Sequence, residues 1–299
     1  MAALDERLLA RALTIDELLS GASDQLPGQK GDSDLAARRV ATWCRSCASG
    51  NWSLFVRRLE RDGLSIEDVL AKFATVRRNA SWPTPTWLDD AVWVNEALRS
   101  SVDIAAEHPA PGTGPCAFED LLKPVVREAE TRLWSAIDSR VGAAVSDSAR
   151  ACLRRSLLAE LSSLSAGAIY ERFAKVRQDT GPSGPRGPSN AQYHRFVADM
   201  KANGWRQLFE DKPVLLRLMA SLTRQWIDAS KELITRLDAD LPAIRRDLLE
   251  TATSCQVTSI DSDLSDRHNF GRTVAIIGFQ DGSRIVYKPK DLGVDAGWH

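Results

Sequence analysis

The chain has 299 residues, of which 43% are hydrophobic and 26% charged, with 39 basic side chains against 40 acidic ones. At about 150 residues per domain this length suggests two domains or one large one. Such a chain can bury about three quarters of its unfolded surface, and its composition excludes collagen-like, purely coiled-coil and disordered classes. A formal net charge of -1 gives no reason to expect a nucleic-acid or membrane-surface partner.

Near the N-terminus, Asp5 and Glu6 stand where an export signal would be apolar. No stretch reaches the ~18 consecutive apolar residues that a bilayer span requires, so neither a secretory signal nor a membrane span is expected. Cys44, Cys47, Cys116, Cys152 and Cys255 then read as free thiols of a reducing compartment, with the cytoplasm as default. Cys44 and Cys47 form a C-x-x-C, but no second pair or paired histidine follows at zinc-site spacing. They are expected to be packing residues on one helix, without metal.

The hydrophobic period is helical as far as about Glu250. Thr14 with Glu17 has the spacing of a capping box, and Ser65 with Asp68 and Thr86 with Asp89 repeat a polar start with an acid in the first turn. Longer helices are predicted over about 34–47, 118–138, 147–178 and 213–238. In the last of these, Val214, Leu215, Leu218, Leu222, Trp226 and Leu233 approximate an apolar stripe, and Pro213 is acceptable in the first turn. Two Pro/Gly-rich breaks, 108–115 and 180–189, read as linkers, and the second is the expected main boundary. Gly112 and Gly114 do not make a phosphate loop, because no strand precedes them and no Gly-Lys-Ser/Thr follows.

After Ala252 the pattern changes. Thr273 to Phe279 is β-branched and apolar on both faces, 280–283 supplies turn residues, and Arg284 to Lys288 resumes strand composition before Pro289. A β-hairpin is predicted. The expected architecture is mainly α with a C-terminal β-hairpin: a helical region over 1–179, a linker over 180–191, and a second domain over 192–299 that is helical at 192–250 and carries the hairpin at 264–290. Two strands alone are marginal, and the doubly apolar first strand needs a second partner face, so the chain is expected to be cut short.

The chemistry-bearing residues concentrate in Leu264 to Leu292. Asp266 and His268 lie in the loop entering the first strand, Gly271 permits a close backbone approach, and Lys288 ends the returning strand. An acid, an imidazole and a cation around a glycine suit phosphate handling, because lysine neutralises phosphate oxygens and His/Asp move protons near neutral pH. The alternative is a solvated surface loop with a turn-capping Asp, a solvated His and a strand-end Lys.

The runs S-D-R-H-N-F-G-R-T-V (265–274), F-Q-D-G (279–282) and I-V-Y-K-P-K (285–290) resemble the dehydratase domain of the class II lanthionine (lantibiotic) synthetases of the LanM type. A weaker resemblance runs through Y-H-R-F-V (193–197), K-P-V-L-L-R-L-M-A-S-L-T-R-Q-W (212–226) and Arg236-Leu237, so that about 192–299 is covered. The resemblance implies a kinase-like fold, of which the hairpin looks like the opening of the N-lobe. It further implies an enzyme that uses ATP and magnesium to phosphorylate Ser and Thr of a precursor peptide, leader and core, and then eliminates phosphate to leave dehydroamino acids. By the same resemblance Lys288 holds nucleotide phosphates, Gly271 belongs to the cofactor-binding set, and Asp266 and His268 are catalytic, with their division of roles open. In complete members the catalytic loop, the magnesium-ligating aspartate and the zinc-binding cyclase domain lie further downstream. The chain is therefore expected to bind no cofactor tightly and to be inactive alone, with a free-standing helical peptide- or protein-binding module as the alternative.

Overall fold

The computed structural model describes residues 6–24, 32–74, 77–79, 81–100, 114–179, 190–249, 256–262, 264–268, 270–290 and 293–298. Cys255 and the breaks at 108–113 and 180–189 lie outside the described residues. The chain is mainly helical and forms two compact units, Met1–Leu88 with Phe209–Arg217, and Asp89–Leu208 with Leu218–His299. Segments on both sides of 180–189 therefore belong to the second unit. Among the described residues no helix is long and apolar enough to cross a membrane.

In the first unit α1 (Glu6–Arg11) leads into α2 (Ile15–Leu19). Here the Glu17 N–H donates to Thr14 Oγ1 at 3.2 Å and the Thr14 N–H donates to Glu17 Oε2 at 2.7 Å, which is the reciprocal capping box the spacing predicts. β1 (Ser23–Asp24) pairs antiparallel with β2 (Arg77–Arg78). Between them, α3 (Ser33–Ala48), α4 (Trp52–Arg61) and α5 (Ile66–Phe73) start at Asp32, Asn51 and Ser65, whose side chains accept from Leu35, Leu54 and Asp68 N–H groups. Each cap satisfies one of the donors that a helix leaves open at its start. The three helices bury Val40, Cys44, Phe55, Leu59, Val69 and Phe73 together, and Trp43 stacks on Phe73 at 5.8 Å. Cys44 is thus a core residue, and Cys47 packs against the same cluster one turn later. Arg217 closes the unit with hydrogen bonds to both Glu17 carboxylate oxygens, at 2.5 and 3.1 Å, and to the Ala12 carbonyl at 3.0 Å.

The second unit takes in most of α6 (Trp87–Leu98), then α7 (Glu119–Ser135), α8 (Ser139–Ala143), the long α9 (Asp147–Asp179) and α10 (Asn190–Asp199). A π-helical turn, Met200–Gly204, joins α10 to α11 (Trp205–Asp211), and a second one, Arg245–Leu249, follows α12 (Pro213–Ile244). Phe118, Phe173, Tyr193 and Phe196 form an aromatic cluster with centroids 4.9 to 6.4 Å apart. The buried stripe of α12 runs through Leu216, Met219, Ala220, Thr223, Trp226, Ile227, Ser230, Leu233 and Ile234. This corrects the predicted stripe, since Val214 and Leu218 are 45% and 46% exposed. The predicted phase follows the large aliphatics and passes over two hydroxyl residues. Thr223 is nevertheless buried at little cost, because its Oγ1 donates to the Met219 carbonyl one turn back at 2.7 Å.

The C-terminal strands form one antiparallel sheet in the order β3 (Val257–Asp261), β4 (Ala275–Phe279), β5 (Arg284–Tyr287). The predicted hairpin is β4–β5, in register from Ala275↔Tyr287 to Gly278↔Arg284, and β3 is an additional strand on its other side. This explains the doubly apolar β4, which is the central strand. Val257, Ile260, Ala275, Ile277 and Phe279 are buried on one face, and β3 packs against α9. Backbone bonds from Ser146 N–H to the Val257 carbonyl and from Val257 N–H to the Ala144 carbonyl, both 3.0 Å, cover the free edge of β3 at its start. A short helix, α13 (Gly293–Trp298), follows.

Candidate functional site

The loop between β3 and β4 carries the S-D-R-H-N-F-G-R motif and is folded back on itself. At its base the Val274 N–H donates to Ser265 Oγ at 3.1 Å. Near its tip His268 and Arg272 exchange two backbone hydrogen bonds of 2.9 Å, and the chain reverses through Phe270 and Gly271 at φ 65° and 91°. A Cβ on Gly271 would lie 2.9 Å from Gln225 Cβ on α12, so the glycine serves both the turn and the approach to that helix.

Two arginines of the motif turn inward. Arg267 pairs with Glu160 of α9, and both are largely buried. Arg272 donates from Nε and Nη2 to Glu232 Oε2 of α12, at 2.7 and 2.6 Å. The hydrogen bond that Arg272 donates to Glu232 raises the arginine's pKa above the ordinary value. The other oxygen of Glu232 lies 2.5 Å from Arg236 Nη2, and Arg236 Nη1 donates to the Tyr287 hydroxyl at 3.3 Å. Behind the loop Arg267 and Arg272, with Ser156, Ser230, Thr273 and Tyr287, line a cavity of about 40 Å³. At ~10–15 Å³ per water that space holds a few waters.

Asp266 and His268, on either side of Arg267, are exposed. Lys288 is exposed too, one residue beyond the last β4–β5 pair, Ala275↔Tyr287, and so beside the base of the loop. Tyr287 lines the cavity, so its neighbour Lys288 projects to the opposite face of the sheet, which it shares with the half-exposed Val286. Among the described residues the side chains of Asp266, His268 and Lys288 enter no ion pair or hydrogen bond. The structure thus places Asp266, His268 and Gly271 in one loop and Lys288 just past the end of β5, next to the loop's base.

An exposed ammonium at Lys288 fits phosphate oxygens. Among the described residues no group of three or more His, Cys, Asp or Glu side chains is placed to hold a metal, so no magnesium ligand is assigned. Gly271 is accounted for by its approach to Gln225 without any ligand. Sequence reading missed Arg267, Arg272, Glu160 and Glu232. The two arginines belong to the motif itself, and Glu160 lies among the buried Leu157, Leu158 and Leu161, where a charge signals a buried partner.

The family model described as "Domain of unknown function (DUF4135)" matches residues 213–299, which run from the start of α12 through the sheet and include the whole loop. No curated protein matches the chain.

Proposed function

We propose that residues 264–290 are the phosphate-binding and proton-transfer part of a peptide Ser/Thr dehydratase of the lanthionine synthetase type, working in the cytoplasm on a precursor peptide. The observation that carries this reading is the contrast within one motif. Arg267 and Arg272 are locked into ion pairs, whereas Asp266, His268 and Lys288 keep their charged or titratable ends in solvent on adjoining backbone segments. A loop serving only stability has no need to anchor its neighbours and leave three reactive groups without a side-chain partner among the described residues. The match of 213–299 to a domain associated with lanthionine synthetase-like proteins supports the same reading.

ATP supplies the phosphoryl group when bound. Lys288 would neutralise charge on the nucleotide phosphates and so favour transfer of the terminal phosphoryl group to a peptide hydroxyl, with release of ADP and of the hydroxyl proton. Elimination then needs a base for the Cα proton. The electron pair of that C–H bond becomes the Cα=Cβ bond, the Cβ–O bond breaks, and phosphate departs with the oxygen. His268 and Asp266 are the groups available to take that proton or to assist the departing phosphate.

Titration of ATP into the isotopically labelled chain tests the nucleotide part. Weak binding is expected to shift amide resonances at 264–290, and Lys288→Ala is expected to remove those shifts. Equal shifts in Lys288→Ala, or binding of peptide alone with no response to ATP, would overturn the reading in favour of an interaction module.

A further inference from the structure

The geometry points to Glu232 as a positioning residue that sets the Asp266/His268 loop and the Lys288 strand relative to each other, with Glu160 holding the loop alone. The meaning of this for catalysis rests on the dehydratase reading above, but the positioning itself does not. Glu232 is one carboxylate with two engagements. Through Oε2 it accepts two hydrogen bonds from Arg272, which is itself tied by two backbone bonds to His268. Its Oε1 forms an ion pair at 2.5 Å with Arg236 one turn along α12, whose guanidinium reaches the hydroxyl of Tyr287, the residue before Lys288. One side chain of α12 is therefore connected to both halves of the site.

The remaining contacts make the loop's placement overdetermined. Arg267 reaches Glu160 on α9, and Gly271 lies against Gln225, two turns before Glu232 on α12 and thus about 10 Å away along the helix. His268 sits between one anchored neighbour, Arg267, and its own backbone bonds to Arg272. A residue fixed on both sides keeps one backbone position, which limits its exposed imidazole to the rotamers that this position allows. The glutamates touch neither reacting atoms nor the three candidate side chains. Their effect passes through the arginines that they pair with.

Amide hydrogen exchange on the full chain, in the absence of nucleotide, tests this. Glu232→Gln should speed exchange by about tenfold or more both at 266–272 and at 286–288, while the interiors of α9 and α12 stay as in the wild type. Glu160→Gln should speed exchange at 266–272 and leave 286–288 unchanged, and the reciprocal exchange Glu160→Arg with Arg267→Glu should restore the loop. Tyr287→Phe, which removes only the hydroxyl contact, should loosen 286–288 and spare the loop, and it serves where Glu232→Gln lowers overall stability. The imidazole resonance of His268, one of four histidines, should broaden in both glutamate variants. The inference is overturned if Glu232→Gln loosens only one of the two segments, if exchange rises uniformly through the helices, or if the reciprocal swap restores nothing. Because no nucleotide is present, failure of the dehydratase reading would appear separately, as an unresponsive wild type in the ATP titration.

Discussion

Replacing Gly271 by alanine tests whether the loop is seated against α12. Two costs are separable. An L-residue held at φ 91° carries about 1–2 kcal/mol of conformational strain. The added Cβ would in addition meet Gln225 Cβ at 2.9 Å and the Gln225 carbonyl oxygen at 3.4 Å, and overpacking of this kind costs about 1–3 kcal/mol. The sum, about 2–5 kcal/mol, is a large share of an ordinary stability of about 5–15 kcal/mol. Gly282 in the β4–β5 turn supplies the control: its φ is 86°, and a Cβ there meets nothing within 4 Å, so Gly282→Ala carries the strain alone. Urea midpoints of the two variants, compared at unchanged slope, give the steric part by difference. Gln225→Gly removes the opposing Cβ, costs about 1 kcal/mol in a helix interior, and should recover much of the Gly271→Ala loss in the double variant. The reasoning fails if Gly271→Ala is no more costly than Gly282→Ala, or if the coupling with Gln225→Gly stays below about 0.5 kcal/mol.

In a complete dehydratase containing this region, Lys288→Ala should leave the peptide unmodified, with a rate loss of about a hundredfold or more, whereas His268→Ala, and Asp266→Asn with it, should let phosphopeptide accumulate. Mass spectra reading the reverse pattern would exchange the two assignments. Burial by itself would raise the Glu17 pKa, but the hydrogen bond from Arg217, the Thr14 N–H and the Arg217 charge together hold it below its usual 4.5. A depressed folded-state pKa gives stability that is fully present above 4.5 and lost as the pH falls through the lower folded value, so Glu17→Gln should flatten the thermal midpoint against pH in that acid window. An unchanged acid limb would refute it. Asp90 is buried and accepts from Trp93 Nε1 at 2.9 Å and from Arg224 at 2.7 and 3.0 Å. Arg224→Ala should therefore lower stability by about 3 kcal/mol, reduced to the extent that water replaces the half-exposed guanidinium, and a loss below 1 kcal/mol would show that Trp93 alone suffices.

What was legible in the sequence follows from how local each cause is. The capping box at Thr14, the cap at Ser65 and the bounds of α9 depend on residues within a turn or two, and the structure has them where the spacing puts them. The β4–β5 hairpin is equally local, since Asp281-Gly282 supplies the turn and the Asp281 carboxylate accepts from the Ser283 N–H at 2.9 Å. β3 was harder to see. Val257-Thr258-Ser259-Ile260-Asp261 alternates poorly, and it becomes a strand because β4 needs a second neighbour and because α9 covers Val257 and Ile260. The phase of α12 was misjudged for a related reason: a helix with aliphatics at 214, 215, 216 and 218 admits two stripes, and only the packing partners select between them.

The same distinction applies inside the motif. Asp266, His268 and Lys288 attract attention because their chemistry is visible in isolation, while Arg267 and Arg272 look like ordinary surface charges. Their partners, Glu160 and Glu232, lie far back in the sequence on two different helices, and nothing in the local string announces them. The physical order is the opposite of the reading order. A reactive group on a loop can work only if the loop has one position, and in this loop that position is set by two ion pairs and a glycine packed on a helix. A charged residue within four positions of a candidate catalytic group, as Arg267 and Arg272 are of His268, should therefore be read first as an anchor. Its partner is best sought where an acid interrupts a buried helical stripe, as Glu160 does between Leu157 and Leu161.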